Sequence, residues 1–353
     1  MRVLLALALL AFFVMACAPE APQDYINDPA GDVAQKADRL WDLTFWIATV
    51  VFFLVEGVLV YTIIRFRHKP GREAKQFHGN TKVEVILTAI PALILAGIAV
   101  PTIRTITELG ARPEDRMNVE VVAHRFWWEY RYLDEGFVTA NEMRIPVDQD
   151  VFVTLEGATT DLVTGDNEVI HSFWSPRLAG KQDIIPGRTT TMRLHADEPD
   201  TYVGQCTEFC GIGHAYMRLQ VIAMPQDEFD EWVEEQKSAA EEPAAGDAAE
   251  GAELFAQGAQ NGQFANGDAC STCHAVESTL TEEGGPPQPA AGPNLTHFAS
   301  RETFAGAIFE NNTENLKRWL EDPPGVKPGA TMPDLGLTDD QINDLVAYLQ
   351  TLE

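Results

Sequence analysis

The chain has 353 residues, 45% of them hydrophobic, with a formal net charge of −28. That length accommodates two or three domains, and so acidic a surface repels phosphate backbones, which excludes nucleic acid as a partner. All 5 cysteines can be placed below without a disulfide.

Residues 1–16 read as an export signal: Arg2, an apolar run from Val3 to Met15, then small Ala16 before Cys17. Residues 17–39 form a polar, Pro- and Asp-containing external segment. An apolar run from Leu43 to Ile64 would make about 33 Å of helix, enough to span a bilayer, and its single charge is Glu56. Next comes a basic loop carrying Arg65, Arg67, Lys69, Arg72, Lys75 and Lys82, the mark of a cytoplasmic connection. A second span runs from Val83 to about Ile103, with Glu84 at its mouth, where the helix dipole favours a carboxylate. Residues 40–104 are thus predicted to form a transmembrane hairpin with both chain ends outside. Glu56 is expected to face a helix bundle and is given no role.

Residues 105–226 change texture to short alternating runs (Asn118–Ala123, Asp150–Leu155, Thr189–Leu194, Tyr216–Ile222) broken by Gly, Pro and Asp. That pattern predicts a β-sandwich. The stretch His124-Arg-Phe126-Trp127-Trp128-Glu-Tyr130 supplies aromatic rings for its core. Cys206-Thr-Glu-Phe-Cys210-Gly-Ile-Gly-His214-Ala-Tyr-Met217 is predicted to join its last two strands. Two thiols, an imidazole and a thioether in twelve residues suit copper, for which a weak Met ligand is characteristic. A disulfide or a Cys₂His₂ zinc site uses fewer of these groups. Spacing leaves open which of His124, His171 and His195 completes the set.

Residues 227–249 read as an acidic helix and linker. From Asp227 to Glu253 there are eleven acidic residues against Lys237 alone, and Ser238 to Ala249 reads as a flexible tether. In residues 250–353, Cys270-Ser-Thr-Cys273-His274 is the attachment motif of c-type haem, with both thiols bonded to the haem and the imidazole on iron. Met332 is the only methionine after His274, so elimination makes it the opposite iron ligand, a pairing that raises the potential. Helices are expected from Asp247 to Ala259 and after Thr338, where Gln341 completes a capping box. Residues 275–292 read as an inserted loop without a role.

Several of these motifs resemble one family. The pattern from Cys206 to Met217, with Val169-Ile-His171-Ser and the run to Arg188 upstream, is similar to subunit II of haem–copper cytochrome c oxidases over about residues 35–225. The resemblance implies a cupredoxin fold and a dinuclear copper A centre held by His171, Cys206, Cys210, His214, Met217 and the carbonyl of Glu208. It also implies a magnesium ion held partly by the Glu208 carboxylate at the boundary with subunit I. Glu84 corresponds to a glutamate that opens a proton path into subunit I. Phe126, Trp127 and Trp128 correspond to the family's electron-transfer aromatics, where the first ring is usually Trp; a tethered haem would relax that requirement. Val14-Met-Ala-Cys17 resembles a bacterial lipoprotein box, which implies lipidation of Cys17. The last hundred residues resemble class I cytochromes c, with Met332 in a Pro-flanked loop and Gly292-Pro293-Asn294-Leu295 as a haem-packing turn.

The fold class expected is therefore a multidomain membrane protein: a two-helix hairpin, a β-sandwich copper domain and an all-α cytochrome c domain. The resemblance implies a bacterial inner-membrane oxidase subunit working with subunits I and III. Its electrons would come from a soluble or membrane cytochrome c or a bc complex. Two other readings stand beside it: the copper A subunit of a nitric oxide reductase, which would share the loop, and a quinol oxidase subunit II, which shares the hairpin and sandwich but lacks copper.

Overall fold

The computed structural model describes residues 28–353 apart from 69, 72–77, 112–115, 159–164, 166–168, 241–242, 244 and 259–268. The expected signal segment and Cys17 lie outside these residues, as do Lys69, Arg72 and Lys75 of the basic loop. Two compact units result, and residues 33–112 make up one of them.

That unit is a pair of helices, α1 (Asp32–Phe66) and α2 (Thr81–Leu109). Both are long and apolar enough to cross a membrane, and their large side chains, such as Phe53 and Leu93, face outward. An apolar face with no protein over it is stable in hydrocarbon and costly in water, and Glu56, the one charge in the first run, is exposed as well. The Asn80 side chain caps α2 by accepting from the amides of Lys82 and Val83, and the Glu84 carboxylate accepts from the Asn80 amide at 3.1 Å.

The other unit begins with a β domain. A five-stranded sheet has the order β3-β2-β1-β5-β8: Phe137–Ala140, Trp127–Tyr132, Met117–His124, Val151–Gly157 and Thr190–Leu194. A three-stranded sheet has the order β4-β10-β9: Glu142–Pro146, Arg218–Met224 and Asp200–Gln205. A short hairpin, β6 (His171–Phe173) with β7 (Gln182–Ile184), completes it. Strand alternation turns Val119, Val121, Tyr130, Tyr132, Val153 and Leu155 inward, all fully buried. This is the sandwich that the alternating runs predict, cupredoxin-like in form.

Helix α3 (Gln226–Lys237) follows at once, burying Phe229, Trp232, Val233 and Gln236 while its carboxylates stay exposed. Trp232 packs edge-on against Tyr132 and Phe137, with ring centroids 5.3 Å apart in each pair. The next helix, α4, spans Asp247–Gln257, so the last three residues read as tether are helical. Helices α5 (Thr313–Glu321), α6 (Pro323–Val326) and α7 (Asp339–Leu349) finish the chain. Phe255 of α4 meets Tyr348 of α7 at 5.4 Å between rings, in a core with Leu316, Leu320, Leu345 and Leu352. The Thr338–Gln341 capping box expected from sequence is formed.

Candidate metal and haem sites

The first site is built by one loop and one strand. The loop from Cys206 to Met217 joins β9 to β10, and the Cys206 amide donates to the Met217 carbonyl at 2.9 Å, closing its neck. Strand β6 reaches the loop through backbone bonds from Thr207 to Ser172 and from Gln205 to Trp174, each 3.1 Å. That pairing sets His171 Nδ1 3.8 Å from Cys206 Sγ. The two sulfurs are 3.9 Å apart and not joined by a disulfide, the separation being nearly twice a disulfide bond length. His214 Nδ1 is 3.6 Å from Cys210 Sγ, and the Glu208 carbonyl is 3.3 Å from Cys206 Sγ. His171, Cys206 and Cys210 form a buried group able to hold a metal ion. Met217 at the loop's end is fully buried.

Geometry answers what spacing left open. His124 stacks on Trp127 with centroids 4.1 Å apart and pairs with Glu129, while His195 pairs with Asp150 at 3.0 Å. Only His171 of the three approaches the thiols. The Cys206 thiol is held well below its ordinary range, chiefly by its hydrogen bond with Cys210 and further by His171, against the opposing effect of burial. A pre-formed thiolate is the form a soft metal binds, so the residues fit copper.

The second site is a cavity of about 450 Å³, within the ~300–1,000 Å³ usual for cofactor pockets. Cys270, Cys273, His274 and Met332 all line it. A tight turn from Cys270 places both thiols and His274 on one wall, the His274 amide donating to the Cys270 carbonyl at 3.0 Å. His274 Nδ1 lies 2.7 Å from the Pro293 carbonyl, which fixes the ring with Nδ1 as donor and leaves Nε2 as the ligand atom. Burial also pushes this imidazole down, towards its neutral, ligating form. The donor set and cavity fit a covalent haem.

Residues of the β domain reach the same cavity: Phe126 and Trp127 form part of its wall. Phe126 is 7% exposed, and its ring lies so close over Gly213 that any side chain there would collide with it. Trp128, fully buried, meets His171 edge-on at 6.3 Å. Phe126 thus touches both the cavity and the thiol loop, Trp127 faces the cavity, and Trp128 lies beside His171. Glu208 directs its carboxylate to the exposed surface, beside Phe209 at 77% exposure.

Lys327 and Glu142 are among the charged residues, with Arg301, that sequence reading passed over and that lie buried here. Lys327 and Glu142 are each 3% exposed. Burial lowers the Lys327 ammonium to about 7, with the Cys210 thiolate opposing. Neither residue belongs to a motif, and their partners in the other domain are more than a hundred residues away, so no local pattern marks them.

Fold and sites together define a membrane-anchored redox protein with a cupredoxin-like domain and a c-type haem domain. Three family models match in succession: cytochrome c oxidase subunit II, transmembrane domain, over 19–105; its periplasmic domain over 117–224; and cytochrome c over 248–353. The chain is 35% identical to cytochrome c oxidase subunit 2 of Alkalihalophilus pseudofirmus, covering 99% of this chain and 96% of the relative. It is 33% identical to that of Bacillus subtilis, over 100% and 98%. The solved periplasmic domain of subunit II of cytochrome oxidase from Bradyrhizobium japonicum is 29% identical, covering 35% of this chain and 96% of that one with a TM-score of 0.32. The chain belongs to the cytochrome c oxidase subunit II family, carries a C-terminal cytochrome c domain, and is a membrane subunit of a haem–copper oxidase, partnered with subunit I.

Proposed function

We propose that this chain is the electron-accepting subunit of the oxidase, with a haem c and a dinuclear copper A centre in series. Cys270 and Cys273 hold the haem covalently, with His274 and Met332 on its iron. His171, Cys206, Cys210, His214, Met217 and the Glu208 carbonyl hold the copper pair. Once bound, each centre takes and gives single electrons, linking an external cytochrome c or bc complex to subunit I, where oxygen is reduced to water with proton translocation. The protein's own part is positional. Pro293 fixes the tautomer of His274, the Cys206–Met217 backbone bond fixes the loop, and Phe126 and Trp127 close the haem cavity.

The observation that carries this reading is two cysteine sulfurs 3.9 Å apart, with no disulfide between them and an imidazole beside each. Two thiolates so placed would supply soft donors suited to copper. Further parts of the proposal are a magnesium ion on the Glu208 carboxylate at the subunit I boundary, a proton path opened by Glu84, contact with subunit III, and lipidation of Cys17. The hairpin would lie in a bacterial inner membrane with both redox domains on the periplasmic side. The capping bond from Asn80 holds the Glu84 carboxylate at the helix mouth.

Electron paramagnetic resonance of the oxidised holoprotein tests the core of this reading. The expected spectrum shows one unpaired electron shared over two copper nuclei, and Cys210→Ser is expected to abolish that pattern while leaving the haem absorbance unchanged. A single-copper spectrum from the unaltered protein would overturn the dinuclear assignment.

A further inference from the structure

Modules joined by a linker move relative to one another by default unless their interface is extensive. Here the haem module and the β domain share one compact unit, and buried polar groups cross between them. Lys327 Nζ, at the C-terminal end of α6, donates to the Phe126 carbonyl of the β domain and to the Ala305 carbonyl of its own module, each at 2.8 Å. From the other side, the Glu142 carboxylate of β4 accepts from the Thr303 amide at 2.6 Å, the Thr303 hydroxyl at 2.7 Å and the Glu302 amide at 3.3 Å.

Backbone bonds continue the seam. The Arg218 amide donates to the Gly306 carbonyl at 3.1 Å, the Val138 amide to Ser278 at 2.9 Å, and the Leu280 amide to Gly136 at 2.9 Å. The last two come from the inserted loop at 275–292, which pairs with the edge of β3. At the centre, Gly329 of the Met332 loop sits so near the backbone of Gly213 that a Cβ would lie 2.5 Å from the Gly213 nitrogen.

We propose that Lys327 is a positioning residue that, with Glu142, locks the haem module onto the β domain, so that the Met332 loop rests on the Cys206–Met217 loop and Phe126 stays between the two sites. The chemistry favours one seated registry over a loose contact. A buried ammonium or carboxylate stripped of water is strongly disfavoured without partners. A slip of the seated module would part Lys327 from the Phe126 carbonyl and Glu142 from the Thr303 amide with no water to replace them. Full undocking would rehydrate both, so the charges set the registry and the backbone bonds help to hold it. Such a network also fixes one registry, because a displaced module leaves its buried charges unsatisfied. The relay is then a fixed one, with the linker serving connection rather than delivery. Its significance for electron flow rests on the function proposed above.

Hydrogen–deuterium exchange of the holoprotein in complex with subunit I tests this directly. The amides of Thr303, Arg218 and Leu280 are expected to exchange as slowly as the inner strands β1 and β5. Exchange at the rate of exposed loops would overturn the lock. In Lys327→Met those amides are expected to exchange about tenfold faster or more, through local opening, with haem absorbance and copper resonance unchanged. The same variant should make haem-to-copper electron transfer slower and newly dependent on solvent viscosity, as a swinging module would be. Unchanged exchange and viscosity-independent transfer in Lys327→Met would remove Lys327 from the role.

Gly306→Ala provides a second variant, because its methyl group would meet Lys327 Nζ and the Tyr216 carbonyl at 3.0 Å and wedge the same seam; it should reproduce the faster exchange. Absence of the two-copper resonance from the unaltered protein would count against the proposed function alone, since the exchange measurement does not depend on it.

Discussion

Phe126 shows how a single residue changes meaning once its surroundings are known. From sequence it is a departure from the family's usual Trp, a requirement that a tethered haem would relax. In the structure the ring is covered by the haem module and packed over Gly213, so an external donor has no ring to touch. Phe126→Trp therefore overfills a closed space, at about 1–3 kcal/mol, and a matching fall in thermal stability is expected; an unchanged melting temperature would show that the space is open. Glu129 is a second residue whose behaviour follows from its neighbours. Burial pushes its carboxyl up, but His124 and Arg131, the latter 2.6 Å away, outweigh that and hold it below the ordinary 4.5. A carboxyl depressed in the folded state contributes stability above its unfolded pKa and loses it as the pH falls through the folded value. The stability deficit of Glu129→Gln should therefore be largest above pH 4.5 and shrink under more acid conditions, as read by denaturant titration at several pH values. A deficit independent of pH would assign the effect to packing alone.

At the scale of elements, what the sequence discloses depends on how local the cause is. The Cys206–Met217 loop and the Cys270–His274 turn are contiguous, so ligand chemistry and spacing expose them directly. The helix after Thr338 is equally local. Its hydroxyl accepts from the Gln341 amide at 3.3 Å, and Gln341 Oε1 accepts from the Thr338 amide at 2.9 Å. Removing such a cap costs about 1 kcal/mol, so Thr338→Ala should lower the unfolding temperature of the haem module and speed exchange in the first turn of α7. Equal exchange there would mean that the packing of Leu345 and Leu349 alone sets the helix start. His171 was not legible from spacing, because its approach to Cys206 depends on β6 pairing across 35 residues; only resemblance singled it out. Lys327 and Glu142 were invisible for the same reason in a stronger form. Their partners across the seam lie 201 and 161 residues away, and a lone Lys or Glu in sequence reads as a solvated side chain. The tether and helix readings overlap at Asp247 to Ala249, polar and small enough for either, and these three residues belong to α4, which starts at the expected Asp247.

Across the whole molecule, the −28 net charge has a structural expression that composition could not locate. Helix α3 turns its apolar residues onto the β domain and presents Asp227, Glu228, Asp230, Glu231, Glu234 and Glu235 to solvent. Few cations offset them; Lys237 at the helix end pairs with Glu135 at 3.0 Å. An acidic surface on the unit that carries the haem cavity favours encounter with a basic protein, and this attraction is screened over about 10 Å at 0.1 M ionic strength. Reduction of the haem by a basic soluble cytochrome c is therefore expected to slow by about tenfold or more as salt is raised from dilute to physiological strength. Internal electron transfer between fixed, mostly buried centres should be far less sensitive, because buried groups are little screened. Measuring both in the same flash experiment separates the two steps. If the first step proves indifferent to salt, the acidic surface serves solubility and the donor docks through apolar contacts. If the second step also slows with salt, the haem module is reaching the copper loop from solution, in conflict with the buried contacts that join it to the β domain.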